Sequence, residues 1–321
     1  MLLASISIIL GTAILVWRAD KFVAGSASLA RNMGMSPLLI GLTVVSLGTS
    51  APELLVSTTA ALVGASGIAI GNAIGSNIAN IGLVLGITAL IVPLPIRSKL
   101  LRKELPILAV VTLLSGSLLF DASLSRIDGI LLIVALVVTL YLFAKYQPSV
   151  GDSALLVDEE EELPHRSTKA SLFWFGVGLI LLIASSRLLV WAATFIAQQL
   201  GVSDLIIGLT IIAIGTSLPE LAASIASALK GHHDIAIGNV IGSNIFNLLA
   251  VMSVPALISP YRFDQTLIWR DYGLMFLLTG VLILFCYSSI RSNKKIQIGR
   301  GKGSLFVIAY VGYLTLLFIQ S

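Results

Sequence analysis

An internal repeat constrains the fold of this 321-residue chain more than any other feature. Residues 34–91 superimpose on residues 201–258 without a gap, and about 32 of about 58 positions are identical. The first copy contains the motif G-T-S-A-P-E followed by G-N-A-I-G-S-N-I-A-N, and the second contains G-T-S-L-P-E followed by G-N-V-I-G-S-N-I-F-N. The repeat predicts two structurally equivalent halves.

The composition around the repeat indicates a membrane protein. Hydrophobic residues make up 57% of the chain and charged residues only 11%, whereas soluble domains carry about 25% charged residues. Apolar runs such as 131–140 are continuous, unlike the alternating strands of a membrane β-barrel. The single Cys286 excludes an internal disulfide and a multi-cysteine metal site. These features predict an all-α polytopic membrane protein in a lipid bilayer, and no nucleic-acid partner.

Apolar runs and charge breaks together predict ten transmembrane helices. Each needs about 20 apolar residues, and the candidates lie near 2–30, 36–63, 67–91, 104–120, 127–145, 170–199, 203–229, 234–258, 269–288 and 304–320. The domain organisation that follows is a five-helix repeat at 1–145 (motif 36–91), an acidic linker at 146–168, and a five-helix repeat at 169–321 (motif 203–258).

The positions of lysine and arginine predict the orientation in the membrane. If the loops after spans 1, 3, 5, 7 and 9 share one side, that side holds 14 of the 20 basic residues and the other side holds 3. The positive-inside rule makes the first side cytoplasmic, so both termini lie outside and the linker lies inside. Because each half has an odd number of spans, the halves are inverted relative to each other, a plan that places ligand sites near the bilayer midplane.

Two glutamates are the expected centre of function. Glu53 and Glu220 occupy equivalent positions of the repeat and are the only acidic residues predicted to lie deep inside apolar spans. A charge at the centre of a membrane helix costs about 2.5–3.5 kcal/mol on insertion scales, and neither repeat core contains a lysine or arginine close by. A bound cation is the simplest counter-charge, and a proton is the alternative.

The residues before each glutamate supply further oxygen atoms. Thr49 lies four residues before Glu53, so both side chains project from nearly the same helix face. Ser46 and Ser50 lie one turn apart on an adjacent face, and the second copy repeats the pattern with Thr216 and Ser217. Carboxylate and hydroxyl oxygens are hard ligands of the kind that Ca²⁺ prefers.

Each glutamate is preceded by a proline that is expected to break its helix. Pro52 and Pro219 clash with the carbonyls of Gly48 and Gly215, four residues earlier. Such a break frees backbone oxygens, which are tolerated at membrane depth only where they are buried or line a cavity.

The second motif forms a polar stripe on an apolar helix, with residues at i, i+4 and i+8. The stripe consists of Asn72, Ser76 and Asn80 in one copy and Asn239, Ser243 and Asn247 in the other. We expect four of its members to coordinate ions: Ser76, Asn80, Ser243 and Asn247. The small-xxx-small glycine pairs are expected to pack helices closely, namely Gly71, Gly75, Gly238 and Gly242. Asn77 and Asn244 lie off the stripe and are expected to tie helices together.

The paired G-T-S-x-P-E and G-N-x-I-G-S-N-I-x-N motifs resemble the α-repeats of the sodium/calcium exchanger family, within the wider cation/Ca²⁺ exchangers. The resemblance covers essentially the whole chain and is closest to the short prokaryotic calcium/sodium antiporters of the cell (inner) membrane. It implies alternating access, with spans 1 and 6 sliding against a core of cation sites. By matching position, it implies ligands at Glu53, Glu220, Thr49, Ser50, Thr216, Ser217, Ser76, Asn80 and Ser243, and backbone-carbonyl ligands at Ser46 and Ala213.

One position departs from the family pattern. Asn247 is aspartate in some exchangers, so this cluster has two carboxylates rather than three. We therefore expect an antiporter that exchanges Ca²⁺ for Na⁺ as transported substrates, without a cofactor. The alternatives are a Ca²⁺/H⁺ antiporter, a K⁺-dependent exchanger and, more distantly, a membrane scaffold or channel. An enzyme is not expected, because no nucleophile–base pair or catalytic metal set is evident.

Overall fold

The structure, a computed structural model, describes residues 2–96, 101–145, 167–199, 213–291 and 297–320. Most of the predicted acidic linker and the beginning of the predicted seventh span, 203–212, lie outside the described residues.

The described chain is almost entirely helical. The helices of the first half are α1 (Leu2–Asn32), α2 (segments Pro37–Ile40, Gly41–Val45 and Ser46–Thr49), α3 (Ala51–Leu62), α4 (segments Ser66–Ala79, Asn80–Leu85 and Gly86–Ile91), α5 (Leu101–Leu119) and α6 (Arg126–Lys145). Those of the second half are α7 (Thr168–Gln199), α8 (Ala213–Thr216), α9 (Leu218–Leu229), α10 (segments His233–Phe246, Asn247–Val251 and Ser253–Ile258), α11 (segments Leu267–Tyr272 and Gly273–Arg291) and α12 (Arg300–Gln320).

Seven of these helices are long and apolar enough to cross a membrane, and the bent pair α2–α3 makes an eighth candidate. Where the ends of the ten predicted spans are described, they agree with the helix ends to within about four residues. Two predicted spans are represented by shorter apolar helices, Glu104–Leu119 and Leu218–Leu229. The second of these is short because residues 203–212 are not among those described.

Helices α4 and α10, which carry the second motif, run antiparallel. The Ser66 hydroxyl at the start of α4 donates a hydrogen bond to the Ser259 carbonyl, just beyond the end of α10, at 2.7 Å. Each of these helices also meets the last helix of the other half. The Arg300 guanidinium at the start of α12 donates to the Leu90 carbonyl in α4 at 3.1 Å, and a Cβ on Gly129 in α6 would lie 2.8 Å from the Ala256 side chain in α10.

Two short antiparallel ribbons also connect the two halves. Strand β1 (Leu94–Pro95), which follows α4, pairs with β4 (Gln297–Ile298), which precedes α12. Strand β2 (Ser123–Leu124), which precedes α6, pairs with β3 (Tyr261–Arg262), which follows α10. Each half therefore supplies one strand to each ribbon.

The long helices α1 and α7 form a closely packed antiparallel pair. A Cβ on Gly25 would lie 2.6 Å from the Phe175 backbone nitrogen, and one on Gly178 would lie 2.8 Å from the Phe22 Cα. Since these are distances that real Cβ atoms do not adopt, glycine is needed at both contacts. The pair shares a hydrophobic cluster with parts of α2, α9 and α10, separate from the cluster that fills the rest of the protein.

Candidate cation-binding site

The helix breaks predicted at the first motif are confirmed in both copies. Helices α2 and α3 are joined at Ser50, whose φ and ψ are −82° and 6°, and the chain bends there by 43°. Helices α8 and α9 are joined in the same way at Ser217, with φ and ψ of −87° and 3°. Pro52 and Pro219 lie in the first turn of the helix that follows, where a missing N–H leaves no helical hydrogen bond unmade.

The carbonyl freed by the second break is already engaged. The Ser186 hydroxyl of α7 donates a hydrogen bond to the Gly215 carbonyl at 2.5 Å. The position of α1 that corresponds to Ser186 is Ala19, which has no hydroxyl. Sequence reasoning missed this contact, because nothing in the pattern around Ser186 distinguishes it from other small residues of an apolar helix.

The glutamates of the two motifs meet in the interior. Both side chains are 0% exposed, and they lie close enough for their charges to interact. The Ser50 hydroxyl donates to Glu220 Oε1 at 3.1 Å, and the buried hydroxyls of Thr49 and Ser243 lie near the Glu220 carboxylate. Oxygens from both repeats therefore converge on one buried centre.

Several polar atoms at this centre have no hydrogen-bond partner among the described residues. They are both carboxylate oxygens of Glu53, Oε2 of Glu220, the hydroxyls of Ser217 and Ser243, and the amide oxygen and nitrogen of Asn80 and of Asn247. An unsatisfied buried polar group costs about 1–3 kcal/mol, and a charged one costs more. A cluster of this kind indicates a ligand that supplies the missing interactions.

Asp271, near the start of the predicted span 269–288, is also buried, but it does not lie deep inside that span. Asp271 is 8% exposed, but Arg270 contacts both of its carboxylate oxygens, at 2.8 and 2.9 Å. The Tyr313 hydroxyl donates to the same carboxylate at 2.9 Å. In the described part of the chain, no basic side chain does the same for Glu53 or Glu220. The two glutamates therefore differ from Asp271 in having no basic counter-charge among the described residues.

The polar stripes continue into helix segments with π geometry. Asn80 and Asn247 are each the first residue of such a segment, and Ser76 and Ser243 are buried one turn earlier. Short π segments inside α-helices occur frequently at functional sites. The sequence pattern did not predict them.

The predicted carbonyl ligands have different surroundings. The Ser46 carbonyl accepts a hydrogen bond from the Ser50 N–H at 2.9 Å and a longer one from the Thr49 hydroxyl at 3.4 Å. Ala213 begins α8. Thr216, near the end of the same helix, is 8% exposed.

The glycines of the second motif are confirmed as packing residues in one copy. A Cβ on Gly238 would lie 2.6 Å from the Leu38 carbonyl oxygen, and one on Gly242 would lie 2.5 Å from that of Leu42. For Gly71 and Gly75, no neighbouring atom is recorded within 4 Å. The counterpart of α2 that the repeat would place beside them, residues 201–212, lies outside the described ranges.

The hydrogen bonds expected of Asn77 and Asn244 are not observed. Both side chains are 1% exposed, and all four amide atoms lack a partner in the part of the protein that the structure covers. The helices are tied instead by Asn72 and Asn239 at the start of the stripes.

The fold and the buried oxygen cluster define the chain as a membrane ion transporter of the exchanger class. The family described as "Sodium/calcium exchanger protein" matches residues 3–145 and 170–319. The chain belongs to this family, which confirms the resemblance seen in the two motifs.

Individual relatives cover nearly the whole chain. CaxA of Alkalimonas amylolytica is 48% identical over 99% of both chains, and the inner membrane protein YrbG of Escherichia coli is 41% identical over 99% of this chain and 98% of its own. The structure of the sodium-calcium exchanger NCX_Mj superimposes with a TM-score of 0.84 at 33% identity and covers 98% of both chains.

Proposed function

We propose that the protein is a secondary active antiporter that exchanges Ca²⁺ for Na⁺ by alternating access. The observation that carries the proposal is the pair of fully buried glutamates, one from each repeat, with three carboxylate oxygens that have no hydrogen-bond partner among the described residues. The names of two relatives support the choice of ions. They are the exchanger NCX_Mj and the sodium/calcium exchanger MaX1 of Methanosarcina acetivorans, which is 29% identical over 97% of both chains.

The proposed ligands surround these glutamates. They are Glu53 and Glu220, the hydroxyls of Thr49, Ser50, Thr216, Ser217, Ser76 and Ser243, the amides of Asn80 and Asn247, and the carbonyls of Ser46 and Ala213. Burial of the hydroxyls and amides supports the set, because Ca²⁺ takes six to eight oxygen ligands. In this set the ion displaces the Thr49 hydroxyl from the Ser46 carbonyl.

The two negative charges of the cluster are suited to the exchange of Ca²⁺ for Na⁺. Two ionised glutamates neutralise one Ca²⁺ or two Na⁺, whereas a third Na⁺ leaves a net charge of +1. The empty site carries a charge of −2 inside the membrane, which is costly to move. We therefore expect the empty carrier to be held back, so that cations do not leak without a counter-ion; a measurable leak would contradict this account.

The proposed architecture consists of ten spans in two inverted five-helix halves, at 1–145 and 169–321, with both termini outside and the linker in the cytoplasm. The antiparallel contact of α4 with α10 and the exchange of strands between halves support the inversion. The separate hydrophobic cluster of α1 and α7 supports their movement as a pair against the core.

Uptake of ⁴⁵Ca²⁺ into proteoliposomes tests the proposal. With purified protein, we expect uptake when the vesicles contain Na⁺ and the outside solution does not. Uptake driven only by a pH gradient would identify a Ca²⁺/H⁺ antiporter instead. Uptake that also requires K⁺ in the outside solution, together with Ca²⁺, would identify a K⁺-dependent exchanger, and uptake without any gradient would indicate a channel.

Neutral variants of the glutamates test the site. Glu53→Gln and Glu220→Gln each remove one of two negative charges, and we expect Na⁺-driven uptake to fall at least about 100-fold, corresponding to the loss of about 3 kcal/mol of charged interactions. Asp121→Asn is the matched control, since Asp121 is an exposed loop carboxylate. Full activity in either glutamine variant, with protein that remains folded, would rule out the assignment.

A further inference from the structure

Asn239 stands out among the polar residues of the second motif because its side chain is fully engaged. It is 0% exposed, and its amide nitrogen donates to the Glu220 carbonyl at 3.3 Å and to the Ser224 hydroxyl at 3.0 Å. Its amide oxygen accepts a hydrogen bond from the Thr49 hydroxyl at 3.1 Å. One side chain thus connects a hydroxyl of the first repeat with the backbone of the glutamate of the second.

The donor side of this amide sets the position of Glu220. The residue lies in the first turn of α9, directly after the helix break at Ser217, where its carbonyl is held against α10 by Asn239. Asn72 makes the two equivalent contacts in the other copy, to the Glu53 carbonyl at 3.1 Å and the Ser57 hydroxyl at 3.0 Å. The same device therefore fixes the glutamate backbone in both repeats.

The amide oxygen of Asn239 determines where the proton of the Thr49 hydroxyl points. A hydroxyl has one proton to donate and two lone pairs that accept. The Thr49 hydroxyl oxygen lies 3.1 Å from Asn239 Oδ1 and 3.4 Å from the Ser46 carbonyl oxygen. With the proton directed to Asn239, the nearer of these two acceptors, the lone pairs of Thr49 are free for a cation. The amide orientation is consistent, since exchanging its nitrogen and oxygen would place two acceptors, Oδ1 and the Glu220 carbonyl, against each other.

We propose that Asn239 is a positioning residue that orients the Thr49 hydroxyl and the Glu220 backbone and thereby sets the preference of the site for Ca²⁺ over Na⁺. The inference rests on the proposed function in so far as Thr49 and Glu220 face the transported ion. The energy of an ion in the field of an oriented dipole is proportional to its charge. Loss of this orientation therefore affects Ca²⁺ about twice as strongly, in free energy, as Na⁺.

Equilibrium binding of ⁴⁵Ca²⁺ to the purified, detergent-solubilised protein, with Na⁺ as competitor, measures both affinities without requiring transport. In Asn239→Leu, which fills a similar volume, we expect the Kd for Ca²⁺ to rise about tenfold and that for Na⁺ about threefold, because a doubled free-energy loss squares the fold-change. Thr49→Val should shift the ratio in the same direction. Thr43→Val is the control, since the Thr43 hydroxyl donates only to the Leu39 carbonyl of its own helix.

The double variant separates positioning from a general structural role. If Asn239 acts through Thr49, the Ca²⁺ affinity of Thr49→Val/Asn239→Leu should be well above the value expected if the two single effects multiplied. An equal change in both affinities, or multiplicative effects, would overturn the proposal. Should Asn239→Leu fail to fold, Asn239→Ala replaces it, with the same expected ratio. Failure of Na⁺-driven uptake by the unaltered protein would refute Ca²⁺/Na⁺ exchange, while the binding ratio would still test Asn239.

Discussion

Buried carboxylates are neutralised in two different ways in this protein. Asp271 forms an ion pair with the adjacent Arg270 and accepts a hydrogen bond from Tyr313, so the protein itself balances its charge. In the described structure Glu220 accepts a hydrogen bond from the Ser50 hydroxyl, and the carboxylate of Glu53 has no hydrogen-bond partner. Since a fixed partner would compete with a transported ion, the absence of one at these two positions is what a carrier requires.

Asn247 is the position at which the resemblance to the family implies an aspartate in some exchangers, and the neutral amide gives this chain one negative charge fewer. Asn247→Asp raises the negative charge of the cluster from two to three. We expect Ca²⁺ to bind about tenfold more tightly, because an added unit charge close to a divalent ion outweighs the repulsion between carboxylates at an effective dielectric constant of about 20. Protons should compete more strongly in the variant, so its binding should decline more steeply on acidification.

Titration of the purified protein with Ca²⁺ at several pH values measures both effects. Asn80→Asp, the equivalent change in the other repeat, is the matched comparison and should act in the same direction if the two asparagines are equivalent ligands. An unchanged affinity and pH dependence in Asn247→Asp would show that this position does not face the ion.

Among the described helices, the α1–α7 pair is distinguished by its close internal packing. Glycines hold the two helices together at Gly25 and Gly178. Towards the core, Leu179 packs on Gly48, and Ser186 donates to the Gly215 carbonyl. A smooth apolar contact resists sliding little, whereas a hydrogen bond in an apolar surrounding must be broken for the pair to move.

Ser186→Ala tests whether this hydrogen bond restrains the pair. A net hydrogen bond contributes about 1 kcal/mol, so we expect exchange turnover to rise about fivefold if breaking the bond limits the movement, with only a small decrease in thermal stability. Ser185→Ala is a close control, because the Ser185 hydroxyl donates only within its own helix, to Leu181 and Leu182. Slower or unchanged exchange in Ser186→Ala would contradict this role.

For the molecule as a whole, the two ribbons mark the opposite ends of the antiparallel α4 and α10. The β1–β4 ribbon follows the end of α4 and the β2–β3 ribbon follows the end of α10. In the orientation proposed from the distribution of basic residues, the first ribbon lies in the cytoplasm and the second lies outside. Whether the two ribbons lie on opposite sides of the membrane is therefore a direct test of the inverted architecture.

Cysteine labelling from one side of the membrane provides that test. The single cysteine, Cys286, is buried and can be replaced by alanine to give a background without thiols. In intact cells made permeable only at the outer membrane, a membrane-impermeant maleimide should label Asp121→Cys, beside β2, but label Gln297→Cys only after lysis. Labelling of both from the same side would contradict the inversion, and the reverse pattern would contradict the orientation.

Much of this protein could be predicted from the amino-acid order. The two copies, the helix breaks before Pro52 and Pro219, and the burial of Glu53 and Glu220 follow from local properties: hydrophobic length, the missing proline N–H, and the cost of a charge in an apolar span. Because these features occur twice in the same register, chance does not explain them. The family is therefore recognisable from the sequence alone.

The contacts that organise the site were decided by the tertiary structure. Thr49 and Asn239 lie 190 positions apart and Ser50 and Glu220 lie 170 apart, and Ser186 meets Gly215 across two different helices. Such pairs depend on how far each helix is rotated and shifted against its neighbours. Side-chain packing over the whole core sets that arrangement, and it cannot be predicted from the periodicity of an individual helix.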